Sequence, residues 1–239
     1  MEKFDRVKLL IGSQNYEKLK NSSVAVFGVG GVGGYAVEAL VRSGIGKITL
    51  FDNDKVSLSN INRQIIANIN TVGQEKTEAV KDRLLSINPE LIINVQNVFY
   101  LPENADNFPF CEFDYIVDAV DTVTAKIEII KRAKESLVPV ISCMGTGGKT
   151  DPTMLKIADI EKTKGCPLAR VMRKELKERG IKGVKVVYSE ETSIIAKGEK
   201  TEVKGKDRVA PPSMIFVPAT AGLIIAREVV FDIINKEKQ

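Results

Sequence analysis

The 239-residue chain contains no histidine and only three cysteines. Histidine is the commonest acid/base side chain near neutral pH, so proton transfer falls to carboxylates, Lys, Tyr or groups on the substrate. Its absence weighs against any hydrolase with a Ser-His or Cys-His centre. Cys111, Cys143 and Cys166 are too few and too scattered for a disulfide framework, and no C-x-x-C pair offers zinc spacing. Long apolar runs are missing as well. The longest, "MIFVPATAGLIIAREVVFDII", is interrupted by Pro218, Arg227, Glu228 and Asp232, each costly in hydrocarbon, so no membrane span is expected. The N-terminal stretch carries charges throughout and lacks the apolar centre and small-residue cleavage site of a signal peptide. A cytoplasmic protein is expected.

Hydrophobic residues make up 44% of the chain, enough for one sizeable core. The expectation is a single domain over 1–239 with an elaboration at 149–212. Val24 to Phe27 is a short apolar run of the kind buried in parallel sheets, and Tyr35 to Arg42 takes up helical spacing before Gly44 and Gly46. "KITLFD", "IINVQNVF", "DYIVDAV" and "VPVISCMG" read as further strands, separated by helices at Gln74 to Ile87 and near Thr124 to Leu137. This alternation predicts an α/β, Rossmann-like, doubly wound and mostly parallel sheet with ligands at the carboxyl ends of its strands. Beyond Gly148, "MLKIADI" and "VKVVYSEE" read as strands, "CPLARVMRKELKERG" as a helix and 195–212 as a flexible loop. Met214 to Asn235 reads as a last strand and helix.

Gly28, Gly30 and Gly33 form G-x-G-x-x-G between the first strand and the first of these helices, where absent Cβ atoms let backbone approach a phosphate at the helix's positive end. Asp52 follows 19 residues after Gly33, at the end of the next strand, placed to accept ribose hydroxyls. Nucleotide binding follows, but the motif alone does not separate NAD from ATP. A dinucleotide's pyrophosphate carries about two negative charges and a triphosphate roughly four, which calls for added cations or a metal. Asn60, Asn62, Arg63 and Gln64 stand just beyond the second strand, and Lys76 opens the following helix. Arg63 also reads as an ordinary surface charge. An i,i+4 pair does not explain Lys76, because Val80 occupies the partner position.

Asp118 and Asp121 in "DYIVDAVDTVTAK" reach the sheet's carboxyl edge, where a carboxylate facing a polyphosphate suits Mg²⁺. Asp121 is the better placed of the two; its competing role is to cap the helix that follows.

Taken together, "GVGGVG", "LFDNDKVSLSNINRQ", "TVGQEK" and "DAVDT" resemble, in order and spacing, the ubiquitin-activating-like (HesA/MoeB/ThiF) adenylating enzymes. The resemblance implies an ATP site formed by Gly28, Gly30, Gly31, Gly33, Asp52, Asp54, Ser59, Asn60, Asn62, Arg63, Gln64 and Lys76, with Asp121 on Mg²⁺. It also implies a homodimer in which Arg6 of "FDRVKLL" reaches the neighbouring subunit's nucleotide. The later stretch "PLARVMRKELKERGIKGVKVVYS" is similar to the group that dehydrates threonylcarbamoyladenosine beside the tRNA anticodon. That activity adenylates the threonine carboxylate so that the side chain closes into a ring with net loss of water. Arg6, Asn60, Arg63, Lys76 and Asp121 are the implied catalytic set. The resemblance leaves open an activator of a sulfur-carrier protein, although those activators typically carry two C-x-x-C pairs that this chain lacks. An NAD-dependent oxidoreductase and a non-catalytic RNA-binding module are the alternatives from other classes. Some members of the group work with a sulfur-relay partner.

Charge supports an RNA substrate. Between Cys166 and Tyr188 seven cations face two acids, a net +5 within a chain of only +4. Helical spacing predicts Leu168, Val171, Met172 and Leu176 inward and Arg170, Arg173, Lys174 and Lys177 outward toward phosphates. A plain solvated helix with Lys174–Glu178 and Glu175–Arg179 pairs accounts for the same pattern. Cys143 reads as a buried small residue, and Cys166, before Pro167 at a helix start, as a structural thiol with a covalent role as the rival reading.

Overall fold

The computed structural model describes residues 2–194 and 211–236. Seven strands form one sheet in the order β3-β2-β1-β4-β5-β7-β6. They are β1 (Ser23–Phe27), β2 (Lys47–Phe51), β3 (Ile92–Gln96), β4 (Tyr115–Asp118), β5 (Val140–Cys143), β6 (Leu155–Asp159) and β7 (Lys185–Ser189). All neighbours are parallel except the edge strand β6, which runs antiparallel to β7. The expected doubly wound, mostly parallel sheet is therefore present. The chain leaves β1 toward β2 and β3, then returns to the other side of β1 at β4, so a topological switch point lies between the carboxyl ends of β1 and β4.

Two apolar layers cover the sheet. On one side α3 (Gly33–Arg42), α4 (Lys76–Ile87) and α7 (Phe216–Asn235) pack with the buried faces of the central strands. On the other, α5 (Val123–Glu135) and α6 (Pro167–Glu178) close over Phe27, Phe51, Tyr100 and Phe110, with the Phe27 and Phe51 rings stacked 4.1 Å apart. Residues 149–194 thus supply both outer strands of one sheet edge together with α6. The expected loop at 195–212 lies outside the described residues except at its last two positions.

Two readings need correction. Met214 to Asn235 contains no strand: α7 begins at Phe216 and accounts for the apolar run. A short apolar stretch has no period that separates strand from helix, and Pro218 is tolerated in a helix's first turn, where its missing N–H is unpaired anyway. Gly222 lets α7 press onto α3, since a Cβ there would stand 2.4 Å from the Val32 carbonyl oxygen. The N-terminal stretch, read only as charged, forms α1 (Asp5–Ile11) and α2 (Ser13–Asn21), hinged at Gly12 with φ of 84°. Within α6, Ala169, Met172 and Leu176 face inward, whereas Val171 is 45% exposed. The 169-172-176 spacing fixes that face and turns Val171 toward solvent.

Candidate functional site: a phosphate-cradling turn at the carboxyl edge of the sheet

Strand β1 ends against the loop Gly28–Gly33, whose geometry only glycine permits at two points. Gly28 has φ of 83°, and a Cβ there would lie 2.8 Å from the Ala119 carbonyl oxygen; at Gly33 it would lie 1.8 Å from the Gly28 carbonyl oxygen. These two glycines build the turn and pin it to the segment after β4. Gly30 and Gly31 differ, because a Cβ on either meets neighbours only at ordinary contact distance: Gln64 Nε2 at 3.6 Å for Gly30, and Arg63 Cγ at 3.5 Å, Pro218 Cβ at 3.5 Å and the Arg63 carbonyl oxygen at 3.6 Å for Gly31. Their missing side chains leave open space beside the start of α3, where unpaired N–H groups and the helix dipole favour an anion.

Asp52 joins this turn from β2. Its Oδ2 accepts from the Val29 amide and its Oδ1 from the Asp54 amide, both at 2.9 Å. Burial raises its pKa, while the Lys76 ammonium and the two amide donors pull it back. Each oxygen keeps a lone pair for a ribose hydroxyl. The cations come next. Lys76, at the start of α4 and only 6% exposed, holds Asp54 Oδ2 at 2.6 Å. Arg63 donates to the Ser59 carbonyl at 2.8 Å and to Asn62 Oδ1 at 2.9 Å. Asn60 is buried and its Oδ1 accepts from the Ser57 amide at 3.1 Å, which shapes the 3-10 turn at Leu58–Asn60 and fixes Ser59, whose hydroxyl meets that of Ser57 at 2.9 Å. Asn62 is tied elsewhere: its Nδ2 donates to the Ser213 carbonyl at 2.8 Å. Gln64 is 7% exposed; its Nε2 lies beside Gly30, and its buried Oε1 has no hydrogen-bond partner among the described residues. A buried amide oxygen without a donor is rare in a finished interior, and water, an ion or a bound group supplies the partner; the buried Tyr100 hydroxyl is in the same position.

The two acids after β4 have separate fates. Asp118 is fully buried and bonded to Lys126 and Ser142. Asp121 is exposed at the same edge, and Thr122, not Asp121, occupies the cap position of α5. Among the described residues no three Asp, Glu, Cys or His side chains gather into a cage. Mg²⁺ at Asp121 would therefore take its other ligands from phosphate oxygens and water, its usual habit. The cradle at Gly30 and Gly31 and the two cations fit a triphosphate with that ion; the Gln64 oxygen, an acceptor, would need a donor such as a ribose hydroxyl, or the cation itself.

Arg6 lies on exposed α1 and makes no hydrogen bond or ion pair among the described residues. On α6, Arg170, Lys174 and Lys177 are exposed, with Lys174 3.9 Å from Glu178 and Arg179 2.8 Å from Glu175, as the solvated-helix reading expects. Arg173 departs from expectation. It is half-buried and donates to the Thr163 carbonyl at 2.7 Å and its hydroxyl at 2.6 Å, so it anchors the loop before α6. Cys143 and Cys166 are buried, and burial pushes the Cys143 thiol up to about 12. Residues without an assigned role in the sequence also border the site: Pro211 and Pro212 pack on Gly147 and Gly148, and Pro218 of α7 faces Gly31.

Residues 4–239 match the ThiF family. The chain belongs to that family. Within it, the chain is 43% identical to the tRNA threonylcarbamoyladenosine dehydratase of Bacillus subtilis (strain 168), over 98% of this chain and 96% of that protein. It is 35% identical to the enzyme of the same name from Escherichia coli (strain K12), over 84% of this chain and 78% of that one. Among solved structures it matches the E. coli tRNA N6-threonylcarbamoyladenosine dehydratase TcdA in complex with ATP, with a TM-score of 0.86 and 32% identity over 97% of this chain and 93% of that one. The same protein in complex with AMP gives a TM-score of 0.87. No helix among the described residues is long and apolar enough to cross a membrane.

Proposed function

We propose that this protein uses ATP to dehydrate threonylcarbamoyladenosine in tRNA beside the anticodon, closing its side chain into a ring. The observation that carries this reading is 43% identity over 98% of this chain to a dehydratase of that name, combined with a turn whose open glycines and cations suit ATP. A carboxylate resists attack because oxide is a poor leaving group. When the threonine carboxylate attacks the α-phosphorus of ATP, pyrophosphate leaves and an acyl-adenylate forms. A nitrogen of the substrate's own carbamoyl group then attacks the activated carbonyl and AMP departs, a net loss of one water. No enzyme nucleophile is required, so the chain's work is positioning and charge neutralisation.

Gly30 and Gly31 admit the phosphates, Asp52 accepts the ribose hydroxyls, and Arg63 and Lys76 release their own-chain acceptors to meet charge on the triphosphate. Asn60 orients the α-phosphate or the attacking carboxylate. Mg²⁺ held by Asp121 would neutralise the pyrophosphate leaving group. Arg6 acts from a second copy of the chain: α1 carries it beside Leu9 and Leu10, which are 79% and 84% exposed and suit a homodimer contact. A monomer by sedimentation under assay conditions would remove that part. The tRNA lies along Arg170, Lys174 and Lys177, on a helix whose first turn packs against Gly145 at the carboxyl end of β5, in keeping with a cytoplasmic enzyme. A sulfur-relay partner exchanging thiols with this chain would meet Cys111, the exposed cysteine.

The direct test is mass analysis of tRNA nucleosides after incubation with protein, ATP and Mg²⁺: the hypermodified adenosine should lose one water. Lys76→Ala and Asp121→Ala should abolish substrate-dependent AMP release while the fold persists. Near-normal release in both variants would overturn the assignment, and pyrophosphate exchange driven instead by a carrier protein ending in Gly-Gly would redirect it.

A further inference from the structure

Lys126 and Asp118 are both fully buried, and the mechanism above uses neither. A buried ion pair is weak evidence of stability, because apolar replacements are often neutral or better. Its geometry is more informative. Asp118 Oδ2 accepts from Lys126 Nζ at 3.0 Å and from the Ser142 hydroxyl at 2.5 Å, while Oδ1 accepts from the Val120 amide at 3.3 Å. The ammonium also donates to the Cys143 carbonyl at 2.7 Å and lies 3.4 Å from Ser142 Oγ. One cation thus clamps the end of β4, the end of β5 and the second turn of α5. The turn that carries Asp121 is strung between two of these points.

That turn has few other fixings. Thr122 at the cap position of α5 makes no capping bond to the helix; its hydroxyl donates only to Asp121 Oδ1, at 3.5 Å. On its other side, Ala119 donates to the Phe27 carbonyl at 2.8 Å and its own carbonyl presses on Gly28. A shift of residues 119–122 would therefore move Asp121 against the glycine turn, where the nucleotide lies in the reading above. The geometry points to Lys126, through Asp118 and Ser142, as a positioning residue that holds Asp121 in register with the phosphates for Mg²⁺. This rests on the ATP and Mg²⁺ reading of the site. Outer partners of metal-ligating groups commonly change metal affinity or activity by about 10- to 100-fold when lost.

The test measures the Mg²⁺ concentration that half-saturates Mg²⁺-dependent binding of a fluorescent ATP analogue, beside kcat and KM for AMP release. Lys126→Met keeps the stem and removes the charge. It should raise the Mg²⁺ midpoint about 10-fold, lower kcat, and leave metal-free binding of the analogue unchanged. Simple loss of folded protein would lower the amplitude at an unchanged midpoint. A folded Lys126→Met with the wild-type midpoint overturns the proposal. Should that variant fail to fold, Ser142→Ala carries the same test: a rise in the midpoint supports the proposal and none overturns it. Asp121→Asn is the reference. An unmoved midpoint there overturns the Mg²⁺ assignment and this proposal with it, whereas a rise there without one in Lys126→Met overturns the positioning role alone.

Discussion

The glycine turn contains two kinds of glycine, and alanine at each kind should fail differently. At Gly33 a Cβ would sit 1.8 Å from the Gly28 carbonyl oxygen, whereas real Cβ contacts begin at 3.0 Å, so the backbone must part by more than an ångström. Gly33→Ala should lose stability and ATP binding together. Gly30 has an ordinary φ, and its nearest obstacle is a side-chain nitrogen at 3.6 Å, an ordinary contact. Gly30→Ala should therefore gain about 0.4–1 kcal/mol from the lower entropy of its unfolded chain, a rise of roughly 1–4 °C in Tm for a domain of this size. If a phosphate uses the space beside Gly30, the new methyl group displaces it and strains at least one charge-assisted hydrogen bond, each contributing about 1.5–3 kcal/mol. ATP affinity should then fall by roughly 10- to 100-fold. The assays are thermal melting without nucleotide and calorimetric titration with ATP. Unchanged ATP affinity in a stable Gly30→Ala protein would refute the claim that this turn exists to admit phosphate.

The remaining predictions probe groups away from the cradle. Native protein treated with a thiol reagent at mildly alkaline pH should react quickly at Cys111 alone, since Cys143 and Cys166 are buried and the Cys143 thiol is pushed up to about 12; rapid labelling of Cys166 would revive a covalent role for it. Lys149 is 2% exposed, bonded to the Ser189 carbonyl at 2.9 Å, and burial lowers its pKa despite Cys166, Glu191 and Cys143 nearby. The unfolded chain then binds this proton more tightly than the folded one, so stability relative to Lys149→Met should rise with pH up to the ordinary lysine value of about 10.5. A flat or falling difference in Tm would contradict this. Arg173→Ala should cost about 1–3 kcal/mol of stability through the orphaned Thr163 carbonyl. Arg170→Ala with Lys177→Ala should leave Tm unchanged but weaken tRNA binding and flatten its salt dependence, by about 0.7–0.9 in slope for each phosphate no longer neutralised. Equal RNA affinity in that double variant would move the tRNA surface elsewhere.

The part of the fold visible in sequence is the part whose signals are local. The run from Ser23 through the glycines to Asp52 shows itself because apolar period, glycine punctuation and a terminal acid fall within one β-α-β unit, and each residue's role follows from where its own strand ends. The elements misread or missed are those whose fate depends on distant partners. Helix α1 has no buried residue and α2 has only Tyr16 and Leu19, so neither shows a strong apolar stripe. The apolar run from Phe216 is helical and packs against α3 at Gly222, a contact with residues far earlier in the chain. Arg173 shares residue type and helix with Arg170, but lies four residues from Ala169 and three from Leu176 at the border of the buried face, where the Thr163 loop supplies its acceptors.

Charges illustrate the same limit more sharply, because sequence alone supplies their number and not their dielectric surroundings. Lys126 in "VTAKIEIIKRAKE" looks like one more solvated cation on an amphipathic helix, yet it is the one among four cations there that enters the core. Asp118 and Asp121 are identical side chains three positions apart on one sheet edge. The first is still in β4, where its side chain points into the layer beneath α5 and costs free energy unless a cation meets it. The second lies past the strand, where it is exposed to water. On the positioning role proposed above, burial of the first against Lys126 is what fixes the backbone of the second, so an exposed acid proposed for the metal depends on a buried one.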